Sequence, residues 1–310
     1  MSDKTPENKT KNKSNWYLPP LKRRDFLRGS AGGMAGAWLS AWPWQQLAAQ
    51  QDLNPVTDDW DAGIVRHLLP AVNESQFLIK TSFTRALRET PRLRIQNGGS
   101  GRFIEGYLND TSGEFWQFYA TELEADTEYE LSLQDSSGNA LCEPWPLSTF
   151  PSSQQNPEQV RVLFYTCAGG PEGEYFGIND RRGNLPIAIR QRLLRRGLSF
   201  SPQAAVANGD HIYWDLHTWQ GDQAGELSPA GQQSNFDFAA RVMGGSNEDA
   251  MKLAAGPQIA PLYGTAFRST PVYFLQDDHD HWENDSPLTY PVPWFQLQLA
   301  RTTQQLYYPE

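Results

Sequence analysis

The second half of the chain contains three apolar runs of strand length, and each run ends abruptly in small or polar residues. The runs occupy residues 160–165, 204–207 and 272–275. Apolar side chains at helical spacing predict helices at 185–196, 248–255 and 295–306. Strands that alternate with helices favour a mainly parallel α/β sheet. Ligands of such sheets bind beyond the carboxyl ends of the strands, so the residues that follow the runs are the functional candidates.

The residues after the three runs share a chemistry that suits a metal. Cys167 follows the first run, Asp210 and Tyr213 follow the second, and Asp278 and His279 follow the third. Residues 277–285 hold five carboxylates and two imidazoles, which repel one another unless a cation neutralises them. Taken singly, the thiol suits a buried position, Gly209-Asp210 a turn and the phenol a packed aromatic. Together on one sheet edge, they predict a metal site.

The motifs around these residues resemble those of the alkaline phosphatase D (PhoD-like) metallophosphoesterases. Residues 208–213 (NGDHIY) resemble the Gly-Asp-x-x-Tyr motif of the family, residues 164–167 (FYTC) its Phe-Gly-Ser-Cys, and residues 277–280 (DDHD) its Asp-Asp-His-Glu. Thr166 replaces the serine, and Asp280 stands where the family has glutamate. The resemblance covers most of residues 23 to 310.

The resemblance implies a calcineurin-like α/β sandwich that hydrolyses phosphate mono- or diesters by a metal-bound hydroxide. Cys167, Asp210 and Tyr213 would bind Fe³⁺, and Asp210 would bridge to a second metal, such as Ca²⁺, held by Asp278. A trivalent metal favours ionised thiolate and phenolate, whereas calcium prefers carboxylate oxygens. His279 would face the substrate phosphate and, with Asp210, is a candidate catalytic residue. Further candidates beside the ligands are Asp277, Asp280, Asn208 and His211.

Residues 55–152 predict an all-β domain ahead of the α/β part. Short, partly alternating runs are separated by glycine-, serine- and asparagine-rich turns, as in a small β-sandwich. Residues 123–129 and 145–150 resemble the tyrosine corner and closing strand of fibronectin type III domains. Residues 152–157 have the composition of a linker, so the catalytic portion is predicted at 158–310.

The first fifty residues predict an export signal. Residues 22–28 (KRRDFLR) precede a glycine-rich apolar stretch and an alanine-rich end, and their Arg-Arg-x-Phe-Leu core resembles a twin-arginine signal. The alternative is a disordered basic tail. We therefore expect residues 1–50 to engage the twin-arginine export machinery and the protein to be periplasmic or extracellular.

Composition restricts the partners of the remaining chain. After residue 50, 18 Lys and Arg face 33 Asp and Glu, a balance of -15 that argues against nucleic-acid binding as a primary role. No other apolar run reaches bilayer length, so we expect no stable membrane insertion of the mature chain. Cys142 and Cys167 are too few for a disulfide-stapled scaffold, but one disulfide or one thiol ligand remains open.

The position of the acidic cluster also raises an alternative to the enzyme. The sequence continues for about thirty residues after His279, whereas the family places its remaining metal ligands well beyond that segment. We therefore expect the chain to contain the N-terminal portion of the catalytic domain. The alternative is a truncated, non-catalytic exported binding module, or a half-enzyme that needs its C-terminal part. Metal content distinguishes these possibilities, because a binding module needs none.

Overall fold

The computed structural model describes residues 58–170, 185–214, 236–281 and 294–309. The export signal predicted at 1–50 lies outside the described residues. The strands are β1 (Val65–Val72), β2 (Phe77–Phe83), β3 (Arg92–Asn97), β4 (Ser100–Glu105), β5 (Tyr107–Leu108), β6 (Phe115–Ala120), β7 (Glu128–Gln134), β8 (Trp145–Ser148), β9 (Val162–Tyr165), β10 (Ala204–Asn208) and β11 (Val272–Leu275). The helices are α1 (Ile187–Leu198), α2 (Ser246–Tyr263), α3 (Asp278–His281) and α4 (Trp294–Tyr307).

The first eight strands form two antiparallel sheets that enclose one hydrophobic core. Their strand orders are β1-β2-β6-β5 and β4-β3-β7-β8. In β7, Tyr129, Leu131 and Leu133 are buried while the residues between them are more exposed, which is the two-residue period of a strand with one face inward. At the predicted corner, the backbone N–H of Glu124 donates to the Tyr129 hydroxyl over 2.8 Å. Alternation and turn residues therefore indicated this all-β region.

The last three strands form a parallel sheet in the order β11-β10-β9. Ala205 of the central strand pairs with Leu163 on one side and Val272 on the other. The chain is thus a mixed α/β protein with antiparallel sheets followed by a parallel one, as the strand-helix alternation predicted. Because all three strands run the same way, the segments that follow them meet at one edge of the sheet.

Helix α2 is longer than the sequence predicts. The pattern indicates a helix at 248–255, but the structure continues it to Tyr263 through Pro257 and Pro261. Each proline removes a backbone hydrogen bond, which normally interrupts a helix. Here the second half of the helix contributes a fully buried side chain, Ile259, to the core, so tertiary packing outweighs the local penalty. None of the described helices is long and apolar enough to cross a membrane.

The sandwich and the parallel sheet share contacts within one compact unit, residues 56–310. Leu69 and Phe115 of the sandwich pack in the hydrophobic core that also contains residues of α2 and α4. Lys252 of α2 forms an ion pair of 2.7 Å with Asp110 of the sandwich. Cys142 is a buried free thiol and Cys167 an exposed one, so the disulfide that the sequence left open is not formed.

Candidate metal centre

The three loops beyond the parallel strands interlock closely. Gly209 has a φ of +80°, and a Cβ there would lie 2.4 Å from the Cβ of Asp277. At Gly169, a Cβ would lie 2.1 Å from the carbonyl oxygen of His211. Glycine at these two positions therefore allows the backbones to approach closely enough for side chains from all three loops to meet.

Asp210 is the point at which the first two loops converge. The Cys167 thiol and the Tyr213 hydroxyl each donate to its Oδ2 over 3.2 Å. Its other carboxylate oxygen, Oδ1, is buried, and none of the residues in the described ranges hydrogen-bonds to it. A buried carboxylate oxygen without a donor is costly in a protein, and a cation would satisfy it.

The third loop adds a carboxylate and an imidazole to this group. One ligand atom from each of Asp210, Asp278 and His279 lies within 4.8 Å of the other two. The His279 ring also lies 4.1 Å from the Tyr213 ring, measured between centroids. The structure therefore brings together all five residues that the sequence proposed as ligands or catalytic groups.

The electrostatics of the group favour protonated side chains when no cation is bound. Burial raises the pKa of Asp210, and the negative charges of Asp278 and Asp280 add to that effect, against the opposing influence of the Cys167 hydrogen bond and His279. Burial, followed by the neighbouring Asp210, also raises the pKa of the Cys167 thiol and the Tyr213 phenol. A bound cation reverses this tendency because it stabilises every anionic form. Metal binding at this site would therefore release protons.

The side chains of this group suit two metal ions with different ligand preferences. Thiolate and phenolate from Cys167 and Tyr213 suit a strongly polarising metal, whereas the carboxylate oxygens of Asp210 and Asp278 also suit a hard divalent cation. The unpaired Oδ1 of Asp210 is the structural observation behind this fit. The Asp210 carboxylate has two oxygens and can therefore act as a ligand to either metal ion.

Asp280 lies beside the ligands but faces the backbone. Its Oδ1 accepts the N–H groups of His211 and Ile212 over 2.8 and 2.9 Å. Its Oδ2 accepts those of Asp210 and Asp277 over 2.8 and 3.1 Å. This carboxylate therefore joins the second loop to the third.

The other candidates lie outside the ligand group. The Asn208 side chain is exposed, and its backbone carbonyl accepts the Thr166 hydroxyl over 2.6 Å. His211 is buried, and its Nε2 lies 2.9 Å from the carbonyl oxygen of Leu275. Asp277 is exposed and accepts the backbone N–H of Asp278 over 3.0 Å. These residues shape the loops, and their side chains do not enter the group formed by Asp210, Asp278 and His279.

Two buried residues that sequence reasoning missed hold the first loop. The Arg190 guanidinium on α1 donates to the backbone carbonyls of Ala168 and Gly170, each over 2.8 Å. Gln258 on α2 accepts the N–H of Gly170 over 3.1 Å and that of Tyr213 over 2.9 Å. No local motif marks either residue, because each contacts a loop far away in the sequence.

Comparisons with known proteins find partial structural similarity. No family model and no curated protein matches the sequence. A purple acid phosphatase from yellow lupin (Lupinus luteus) seeds matches 78% of this chain and 40% of its own length, at 12% identity and a TM-score of 0.46. PhoD matches 82% of this chain and 47% of its own length, also at 12% identity and a TM-score of 0.46. An fn3 domain of human collagen alpha-1(XX) matches 33% of this chain, at 15% identity and a TM-score of 0.22. The chain thus spans less than half the length of the two phosphatases, and similarity at this level does not identify its family.

Proposed function

We propose that this chain carries the metal-binding part of an exported, metal-dependent phosphoesterase that hydrolyses phosphate mono- or diesters. The observation that carries the proposal is the convergence of a thiol and a phenol on one buried carboxylate, Asp210. Structural sites for calcium or magnesium use oxygen ligands, so a thiol among these groups points to a different kind of metal. The nearby Asp278 and His279 then supply a second carboxylate and a proton donor.

Each residue of the group has a defined role in this proposal. Cys167, Asp210 and Tyr213 would hold an Fe³⁺ ion, and Asp210 together with Asp278 would hold a second cation, with Ca²⁺ as the candidate. Such a metal pair, when bound, activates water and neutralises charge on the phosphoryl oxygens. His279 donates a proton to the leaving alkoxide. Its ring packs against the Tyr213 ring.

The wider proposal concerns the family and the location. The order of the three motifs and the antiparallel sandwich ahead of the parallel sheet support an alkaline phosphatase D-like enzyme. In this proposal the sandwich is of the fibronectin III type and the parallel sheet belongs to a calcineurin-like domain. The Arg-Arg-x-Phe-Leu sequence within residues 22–28 supports export to the periplasm or beyond by the twin-arginine route.

Metal analysis of the purified full chain tests the proposal most directly. We expect near-stoichiometric iron in the wild-type protein, its loss in Asp210→Ala and its retention in Asp277→Asn. Asp277 is a matched control because its carboxylate belongs to the same acidic segment but is exposed and accepts the neighbouring backbone N–H of Asp278. Retention of metal in Asp210→Ala would exclude this site.

Hydrolysis of chromogenic phosphate mono- and diesters then separates the enzyme from its alternatives. Turnover that is lost in His279→Ala with metal retained supports the phosphoesterase. Metal without turnover favours a half-enzyme that needs a further polypeptide. Absence of metal from the wild-type protein, also after incubation with iron and calcium, favours the non-catalytic binding module.

A further inference from the structure

Asp280 has an unusual set of partners for an acidic residue beside a metal site. Its side chain is buried, and the whole residue is only 2% exposed. It accepts four backbone N–H groups, three of them from the consecutive residues Asp210, His211 and Ile212. The fourth comes from Asp277. Each oxygen of this carboxylate therefore accepts two backbone N–H groups.

The loop that Asp280 binds has a backbone conformation that needs support. Gly209 and Asp210 both have positive φ angles, +80° and +59°. A positive φ costs little at glycine and is uncommon at other residues, although aspartate adopts it more readily than most. Consecutive N–H groups in such a turn point to one side and form a small anion-binding concavity. The Asp280 carboxylate fills that concavity and so stabilises the conformation in which Asp210 faces Cys167 and Tyr213.

Asp280 also connects this loop to the one that carries Asp278 and His279. It accepts the N–H of Asp277, the residue immediately before these two in the sequence. The same carboxylate therefore determines how the β10 loop lies relative to the β11 loop. Asp210 and Asp278 come from these two different loops, so their separation depends on the reach of the Asp280 side chain.

We propose that Asp280 is a positioning residue: its carboxylate sets the geometry of Asp210 and Asp278, and thereby the affinity of the site for metal, without binding the metal itself. A glutamate would carry the same charge one C–C bond further from its own backbone and would displace the two loops relative to each other. The part of this inference that concerns metal rests on the proposed function. The part that concerns the loop applies to the metal-free protein as well.

Amide hydrogen exchange in the metal-free full chain tests the loop directly. We expect the amides of Asp210, His211 and Ile212 to be protected in the wild-type protein. Protection should be lost in Asp280→Asn, because an amide group replaces one acceptor oxygen with a donor, and retained in Asp277→Asn. Rapid exchange of these amides in the wild-type protein, or protection in Asp280→Asn equal to that in wild type, would overturn the proposal.

Titration with Co²⁺ tests the effect on the site, since the charge-transfer absorption of a cobalt-bound thiolate reports Cys167 ligation. Loss of a partner that orients metal ligands typically weakens metal affinity by about 10- to 100-fold, and we expect that range for Asp280→Asn. Asp277→Asn should keep the Co²⁺ affinity of the wild-type protein. Unchanged Co²⁺ affinity and absorption in a less stable Asp280→Asn would reduce the residue to a structural role and overturn the proposal.

Asp280→Glu keeps the test decisive if Asp280→Asn does not fold. It retains an anionic acceptor, so we expect a folded protein whose Co²⁺ affinity is several-fold weaker than that of wild type. Wild-type affinity in Asp280→Glu would show that reach does not matter and would contradict the inference. If the wild-type chain binds neither Co²⁺ nor iron, the proposed function fails, and hydrogen exchange alone still decides whether Asp280 holds the loop.

Discussion

Asp110 in the sandwich and Asp210 at the edge of the parallel sheet are buried to a similar degree, with 5% and 8% of each residue exposed. Burial alone would raise the pKa of Asp110, but hydrogen bonds from Lys252 and Ser112 lower it below its usual value. The pKa of Asp210 is instead raised, with burial as the largest cause. The first charge is neutralised within the fold, whereas the donors described for the second are a neutral thiol and phenol. The Lys252 ion pair therefore offsets the cost of burial at Asp110, whereas at Asp210 that cost remains and a bound cation would offset it.

Replacement of Lys252, which pairs with Asp110 and Glu248, should give the largest effect on stability. Lys252 donates to Asp110 and to Glu248 over 2.7 Å each, and both carboxylates are almost completely buried. Lys252→Met leaves them without their cation, and loss of one partner from a buried ion pair costs about 3–5 kcal/mol. We expect that decrease in the free energy of unfolding, measured by urea denaturation at pH 7.

An exposed ion pair provides the control for this experiment. Arg66 and Glu114 lie 3.6 Å apart with side chains that are 38% and 30% exposed. Arg66→Met should therefore cost only about 0–1 kcal/mol. Equal losses in Lys252→Met and Arg66→Met would contradict the view that burial makes the Lys252 network a structural element.

His67 is a second buried titratable group in the sandwich, and its effect on stability can be measured as a function of pH. Burial, together with the charges of Arg66 and Lys80, lowers its pKa from 6.5 to about 3. Between these values the unfolded chain binds the proton more strongly than the folded protein. Stability is therefore present above pH 6.5 and falls as the pH decreases, by about 1.4 kcal/mol per unit.

Comparison of the wild-type protein with His67→Leu isolates this contribution from that of the carboxylates. We expect urea denaturation at pH 6.5 and 5.0 to show a steeper loss of stability in the wild-type protein, and over this interval the difference between the two slopes should average about 1.1 kcal/mol per pH unit. Parallel pH profiles would mean that the proton reaches His67 in the folded state without cost.

The convergence of the candidate ligands on one sheet edge was predictable because each follows a strand in the sequence. Cys167, Asp210 and Asp278 come directly after apolar runs, and a parallel sheet brings such positions to one edge. Alternation likewise indicated the sandwich strands, since apolar and polar residues alternate with a period of two in a strand that has one buried face. These features are local or follow from topology alone.

The supporting residues could not be predicted, because their contacts depend on tertiary packing. Gln258 contacts Gly170 across 88 positions, and Lys252 contacts Asp110 across 142. The extension of α2 through its prolines depends in the same way on what the helix buries. Asp280 was a candidate by motif, but its role became clear only from the backbone groups that it accepts.

Replacement of Gln258 should produce a smaller effect than loss of the Lys252 network. Gln258 is fully buried, and its Oε1 accepts the N–H groups of both Gly170 and Tyr213. Gln258→Leu removes this shared acceptor, at a cost of about 1–3 kcal/mol. We expect that loss of stability and faster hydrogen exchange at both amides. Gln296→Leu, at a buried glutamine of α4, should leave the exchange of these two amides unchanged.

The smallest effect, and one of opposite sign, is expected at Asp210 in metal-free protein. Because its folded pKa is raised, the ionised carboxylate opposes folding above that pKa, and stability decreases as the pH rises through it. Asp210→Asn removes this charge and keeps an acceptor for the Cys167 thiol and the Tyr213 hydroxyl. We expect it to leave the free energy of unfolding unchanged or to raise it by up to about 1 kcal/mol, measured at pH 7 with a chelator present.

Asp110→Asn is the matched substitution in the sandwich, and its expected sign is the reverse. The charged hydrogen bond to Lys252 is weakened, so stability should fall by about 1.5–3 kcal/mol. Asp210→Asn should at the same time abolish metal binding, so that the variant gains or keeps stability while losing the site. If both asparagine variants lose stability equally, Asp210 is a structural carboxylate like Asp110. The raised pKa would then reflect burial that the fold tolerates, and the case for a cation at the sheet edge would lose its electrostatic basis.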